Sequence, residues 1–195
     1  MKIFVVDSFE AIRMKPDSAL LKDGKPFFVP DFMGRCTVAA HLAVRICKLG
    51  KSIPERFAHR YYDAVTIGLD FVADDYAARL RAIGSPHDIA TGFDGSAIIG
   101  RWLTADDLAL HGLSLADVNH LPFALTVDGT PAGSTTLSDK GLSVDALISH
   151  LSRFFTFKTG DIIFCGAASA PTSATIDCLL EGTIGDADVI TCRCK

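Results

Sequence analysis

This 195-residue sequence has no surplus of positive charge. Nineteen lysines and arginines face 23 aspartates and glutamates, for a formal charge of −4 and an isoelectric point near 5.8. Without a basic excess, nothing displaces counterions from a nucleic acid or holds the chain to an anionic membrane. No stretch reaches the roughly 18 uncharged apolar residues of a membrane span. The most apolar late segment, 164–180, contains Pro171 and Asp177. The start, Met1 to Val6, is apolar for too few residues before Asp7 to be a signal core. No Cys-x-x-Cys pair occurs among the cysteines at 36, 47, 165, 178, 192 and 194. They read as reduced thiols of a cytosolic protein, mostly small buried hydrophobes. Cys192-x-Cys194 would share a strand face, but a zinc site needs a second pair that the sequence does not supply. The sequence has no Gly-x-Gly-x-x-Gly after a strand, no P-loop, no Gly-x-Ser-x-Gly elbow and no His-Glu-x-x-His. The histidines at 41, 59, 87, 111, 120 and 150 are scattered.

What is present is apolar and ordered. Apolar residues make up 49% and charged residues 22% of the chain, which excludes disordered and fibrous classes. Thirteen phenylalanines against three tyrosines and one tryptophan indicate an aliphatic core filled with Phe. A chain of this length buries roughly 70% of its unfolded surface and needs no staple. It reads as a single domain over 1–195.

The pattern predicts an α+β, strand-rich fold. A first strand covers about 2–6, and a turn at 22–26 leads to a short strand at 27–29. Between Val38 and Cys47, alternate residues place Val38, Ala40, Leu42, Val44 and Ile46 on one face. Ala39, His41, Ala43, Arg45 and Cys47 take the other, a period of two that argues strand. Ser52-Ile53-Pro54-Glu55 has the form of a capping box and predicts a helix to about Ala64. A buried strand follows at 65–70. An amphipathic helix at 72–83 has Asp74 and Asp75 at its start, Arg79 and Arg81 near its end, and Gly84 as its stop. A strand at 98–103 precedes a short helix opened by Thr104-x-x-Asp107. Asp128-Gly129 marks a hairpin after Phe123–Val127. The clearest helix is 143–155, and strands close the chain near 162–164, 175–180 and 189–194. Most neighbouring strands join by hairpins, so the fold is not doubly wound.

One long segment resembles the fumarylacetoacetate hydrolase family. Gly68-Leu69-Asp70-Phe71-Val72-Ala73-Asp74-Asp75 is similar to that family's Gly-Φ-Asp-Φ-Thr-Ala-Arg-Asp strand end. Gly84-Ser85-Pro86 and Ala90-Thr91-Gly92-Phe93-Asp94-Gly95, running on to Gly100, follow as the family's next elements do. Lys15-Pro16-Asp17-Ser18, Phe57 to Asp63, Asp128-Gly129 and Ser152 to Phe164 match in the same order. The resemblance implies a mixed β-roll or sandwich with a few peripheral helices, usually dimeric. It implies divalent-metal enzymes that hydrolyse, decarboxylate or isomerise small 2-oxo acids. The family holds its metal, magnesium or a similar ion, with a Glu-x-Glu pair and one Asp. Two glutamates at i and i+2 of a strand share a face, and a hard cation takes oxygen ligands.

Carried over position by position, the Glu-x-Glu pair falls on Ala39 and His41, and the aspartate on Asp70. The family's arginine falls on Asp74, its lysine on Thr91, a glutamine on Ala77, and its Thr-Gly-Thr-Pro loop on Cys165-Gly166-Ala167-Ala168. Its His-x-x-Glu segment is absent, because the chain runs from Asp7 directly to Arg13 with only Glu10 between as a glutamate. The metal site is therefore expected to survive only as Asp70 with His41. Ala39, Arg45, Asp74, Thr91 and Cys165 line the pocket, Arg45 is the one compensating cation, and no catalytic residue carries over. The expectation is a homodimeric, catalytically silent or strongly diverged member with no cofactor of its own, with a small oxo acid as its candidate ligand. The alternative is an active hydrolase or isomerase rebuilt around His41 and Asp70 on a softer metal, with Cys165 as a further ligand or nucleophile. A conventional enzyme with displaced ligands would have to use Glu55 or Glu181, and neither forms an i, i+2 pair.

Overall fold

The structure is a computed structural model that describes residues 1–21, 24–31 and 34–195. Its strands are β1 (Ile3–Val6), β2 (Ile12–Lys15), β3 (Leu20–Leu21), β4 (Cys36–Ile46), β5 (Tyr62–Ala73), β6 (Ala97–Ile99), β7 (Leu103–Thr104), β8 (Phe123–Val127), β9 (Thr130–Thr135), β10 (Ile162–Ala167), β11 (Thr172–Ser173), β12 (Leu179–Ile184) and β13 (Ala187–Arg193). The α-helices are α1 (Asp74–Ala82), α2 (Asp88–Thr91), α3 (Ala105–Leu110) and α4 (Val144–Phe154). The fold is α+β and strand-rich.

Among the described residues the strands form two sheets. One runs β2-β1-β10-β4-β5-β6-β3, with β11 beside β4 and β7 beside β5; the other runs β13-β12-β8-β9. The larger sheet must curl. Its ends, β2 and β3, are joined by only the four residues 16–19. That link spans roughly 17 Å at most, whereas six flat inter-strand steps would need about 29 Å. The sheet therefore rolls until its ends approach. Ile3 and Val5 of β1 accordingly share one apolar cluster with Ala43 of β4, Ala97 of β6, and Ile162 and Phe164 of β10. Gly68 makes room for that packing, since a Cβ there would stand 2.5 Å from the Phe164 ring.

Alternation sorts the two faces of the roll. Val38, Ala40, Leu42, Val44 and Ile46, with Val65, Ile67, Leu69 and Phe71, enter the main core together with β8, β12 and α4. Ala39, His41 and Asp70 consequently face the inside of the roll. Ala39 pairs directly with Asp70 across β4 and β5.

Most local signals produce their elements. Asp128 (φ 51°) and Gly129 (φ 74°) make the hairpin turn between β8 and β9. Thr104 and Asp107 form a reciprocal capping box on α3. Four expectations shift. The helix expected over 52–64 is a 3-10 turn, Glu55–Arg60, and residues 62–64 belong to β5. Ser152 of α4 captures this segment: its hydroxyl accepts the Ile53 N–H at 2.8 Å and its carbonyl the Ser52 N–H at 2.9 Å. The strand expected over 98–103 is split into β6 and β7, because Gly100 passes against the Val189 backbone with no room for a Cβ. The strand expected near 175–180 starts at Leu179, because Asp177 (φ 69°) turns the chain. At 27–29 only Phe27 bridges, to Cys194. Lys22 and Asp23 of the expected turn lie outside the described residues. No helix among the described residues is long and apolar enough to cross a membrane.

Candidate functional site

Inside one end of the roll lies a cavity of about 140 Å³, lined by Asp7, Arg13, Ala39, His41, Asp70 and Ala167 among others. Larger hollows lie elsewhere, including one of 280 Å³ beside Ser18 and Phe28 and an apolar groove of 340 Å³ beside Phe9 and Phe154. Neither gathers a comparable set of charged groups.

Asp70 sits at the centre and is buried. Lys15 and Arg13 are two residues apart on β2, so they share its inner face. The curl of the sheet carries both to Asp70. Arg13 Nη2 donates to Asp70 Oδ2 at 2.9 Å and to Asp7 Oδ2 at 3.2 Å. Lys15 Nζ lies 2.6 Å from Asp70 Oδ1. Its three protons point at the carbonyls of Phe71 (3.0 Å), Thr91 (2.5 Å) and Ser96 (2.8 Å). The Lys15–Asp70 contact is thus an ion pair rather than an aligned hydrogen bond. Burial pushes the Lys15 ammonium below the usual lysine range, and Asp70 offsets part of that. Burial acts against the Arg13 charge too, but Asp70 and Asp7 outweigh it and raise its pKa.

Asp7 closes the cluster. It opens the turn between β1 and β2, where its N–H donates to the Ala11 carbonyl at 3.0 Å. His41 Nε2 stands 3.2 Å from Asp7 Oδ1. Burial alone would raise the Asp7 pKa; His41 and Arg13 outweigh it and bring it to about 2. Asp7 is then an acceptor only, so Nε2 carries the imidazole proton. His41 Nδ1 and Arg13 Nη1 are buried with no hydrogen-bond partner. The two carboxylates of the cluster thus face Arg13 and Lys15.

The structure brings Ala39, His41 and Asp70 together here. Thr91 contributes only its carbonyl, and its hydroxyl donates to Asp88 O at 3.2 Å. Asp74 starts α1 and pairs with Arg35. Arg45 pairs with Asp63 at 2.8 Å and lies over Trp102, away from the cavity. The cations beside Asp70 are Arg13 and Lys15, not Arg45. Cys165 is buried in the main core on the opposite face of β10. Cys165 lies across from Leu42 and so points into the core, while a register shift at Gly166 (φ 54°) brings Ala167 beside His41. Burial pushes the Cys165 thiol up. Glu10 bonds to Ser8 on the surface. The signal that could have found the cations is Arg13-x-Lys15 itself, two positive charges on one face of a short strand.

A hard divalent cation needs carboxylate oxygens with free lone pairs. Both oxygens of Asp70 face protein cations, Ala39 offers none, and His41 Nε2 is turned to Asp7. Among the described residues no three His, Cys, Asp or Glu side chains are grouped to hold a metal ion. The residues as arranged do not fit such an ion.

A family model described as the C-terminal part of fumarylacetoacetate hydrolase matches residues 5–195. The oxaloacetate tautomerase YcgM of Escherichia coli is 25% identical over 153 residues, covering 78% of this chain and 67% of that protein. The uncharacterized protein PH0643 of Pyrococcus horikoshii is 33% identical over 156 residues, covering 80% and 64%. The aligned part thus spans about two thirds of these curated relatives. A Yersinia pestis protein described as of the fumarylacetoacetate hydrolase family superposes with a TM-score of 0.88 at 25% identity, covering all of this chain and 92% of its own. The fumarylpyruvate hydrolase of Pseudomonas aeruginosa, solved with Mn2+ and pyruvate, shares the fold with a TM-score of 0.84 at 22% identity, covering all of this chain and 89% of its own. The chain belongs to the fumarylacetoacetate hydrolase family.

Proposed function

We propose that this chain is a strongly diverged, catalytically silent member that keeps the family's shell without its divalent-metal chemistry at Asp70. The observation that carries this reading is the pairing of both Asp70 oxygens, with Arg13 at 2.9 Å and Lys15 at 2.6 Å. A metal that polarises a 2-oxo acid must bind carboxylate oxygens that here face fixed positive charge. Asp7 and Asp70 already engage the Arg13 guanidinium, so a small oxo acid gains little Coulombic energy in the cavity. The setting we propose is the reducing cytosol, with two copies paired as the family pairs.

The test is calorimetric titration with Mg2+ and Mn2+, joined to assays of oxaloacetate tautomerisation and acylpyruvate cleavage. No saturable metal binding and no turnover are expected. Stoichiometric binding with turnover lost on chelation would refute the reading. A second reading, an active enzyme rebuilt on His41 and Asp70, is favoured by their sharing one cavity. Its signature is chelator-sensitive turnover that vanishes in His41→Ala.

A further inference from the structure

We infer that Cys178 and Cys194 are an oxidation site, a thiol pair that a small-molecule disulfide converts into a disulfide bond across the base of the β12–β13 hairpin. The inference uses no residue of the Asp70 cavity and does not depend on the reading proposed above.

The register of the hairpin sets the pair. Leu180 faces Cys192 and Leu179 faces Arg193, so one step further along both strands Cys178 faces Cys194. The Cys194 N–H donates to the Cys178 carbonyl at 2.9 Å. Residues in a hydrogen-bonded pair of this kind have Cα atoms about 5.5 Å apart, inside the roughly 4.4–6.8 Å that a disulfide spans. Opposite side chains point to the same face of the ladder, and both cysteines are buried in the main core. Their Cβ atoms should stand about 4.5–5.5 Å apart, so the bond asks the side chains to close by roughly an ångström.

The same geometry excludes the neighbouring thiols. Cys192 and Cys194 are two apart along one strand, about 6.7 Å between Cα atoms, with side chains that run parallel. Cys178 and Cys192 are diagonal neighbours, about 7–8 Å apart. The Cys192 thiol donates instead to the Arg193 carbonyl at 3.8 Å. Cys36 lies across from Ala73 in the larger sheet, and its thiol donates to the Thr37 carbonyl at 3.9 Å.

The chain beside the pair gives the oxidant a way in. Cys178 directly follows the exposed residues Thr175, Ile176 and Asp177, and Asp177 turns the chain with a φ of 69°. Local opening of that turn bares the Cys178 sulfur while the sheets stay folded. Burial and the facing Cys178 thiol push the Cys194 thiol up, so the exchange starts from the Cys178 thiolate. It attacks one sulfur of oxidised glutathione, forms a mixed disulfide and releases a glutathione thiolate, which takes up the proton that Cys178 gave to water. The Cys194 sulfur then attacks the Cys178 sulfur, and its proton passes to the second glutathione as that leaves. Two protein thiols are oxidised, and one small disulfide is reduced to two thiols. The new bond closes a loop of about 15 residues and restricts the unfolded chain.

The test equilibrates the folded protein with oxidised and reduced glutathione, quenches in acid, alkylates the free thiols and maps the links by mass spectrometry. Cys47, the partly exposed thiol, shows by its glutathione adduct that the reagent is active. Wild type and Cys192→Ala should each lose two hydrogens and carry a Cys178–Cys194 bond, whereas Cys178→Ala and Cys194→Ala should form none. The linked wild type should melt at least about 4 °C above its reduced form. Free thiols at 178 and 194 while Cys47 is modified, a bond to any other cysteine, a bond that forms only in urea, or a bond that leaves Tm unraised would each overturn the inference. The wild-type map decides it even if a variant fails to fold, and either result leaves the proposed function standing.

Discussion

Replacing Lys15 with methionine should cost far more than its place on a short edge strand suggests. The Lys15 side chain is 0% exposed and that of Asp70 is 2% exposed. Methionine fills a similar volume but removes the charge opposite Asp70 Oδ1. Two of the three carbonyls that face Nζ keep another donor. The Phe71 N–H reaches Ser96 O at 2.8 Å, and the Ser96 hydroxyl reaches Thr91 O at 3.2 Å. The loss is therefore dominated by the stranded carboxylate. Breaking one side of a buried pair typically costs about 3–5 kcal/mol. Because Arg13 stays on Asp70, the lower end, about 3 kcal/mol, is expected. Urea unfolding at pH 7 and 25 °C measures it. Lys2→Met is the comparison: it removes the 2.5 Å Lys2–Asp161 pair, but the Lys2 side chain is 23% exposed. Asp161 also keeps the backbone N–H groups of Lys2 and Lys158. Asp161 is itself fully buried, so that change should cost less than Lys15→Met but more than an exposed pair, about 1–2 kcal/mol. If Lys15→Met costs no more than Lys2→Met, the account of the buried cluster is wrong.

Other outcomes follow from the same structure. Asp7 has a folded pKa lowered to about 2 from 3.8, so its contribution to stability is present above pH 4 and is lost as pH falls toward 2. Carboxyl NMR should place its titration near 2 and find it moved upward in His41→Ala. Gly68→Ala pushes a Cβ into the Phe164 ring and should cost about 1–3 kcal/mol by urea unfolding. Thr104→Ala removes the capping box of α3 and should cost about 1 kcal/mol. Of the six thiols only Cys47 is partly exposed, so a thiol reagent should modify it first. Cys165 should react only on unfolding.

Features fixed by neighbours in sequence were legible. Alternation in β4, the Asp128-Gly129 turn and the Thr104 capping box all depend on a few adjacent residues. The helix expected over 52–64 was not, because its cap is displaced by Ser152, a hundred positions away. The positions of Asp70, His41 and Ala39 followed from the resemblance and strand period. Arg13 and Lys15 did not. Their reach to Asp70 depends on the curl of a sheet whose ends are close in sequence and far apart in strand order. Cys165 was assigned to the pocket by position, but it lies across from Leu42, and strand alternation points both into the core.

The central claim is that protein cations stand where the family would place its metal. A crystal soaked in Mn2+, measured for anomalous scattering at the manganese edge, tests it most directly. The account predicts continuous density for the Arg13 guanidinium between Asp7 and Asp70 and no anomalous peak there. An anomalous peak within about 2.3 Å of an Asp70 oxygen, with the guanidinium swung away, would contradict it.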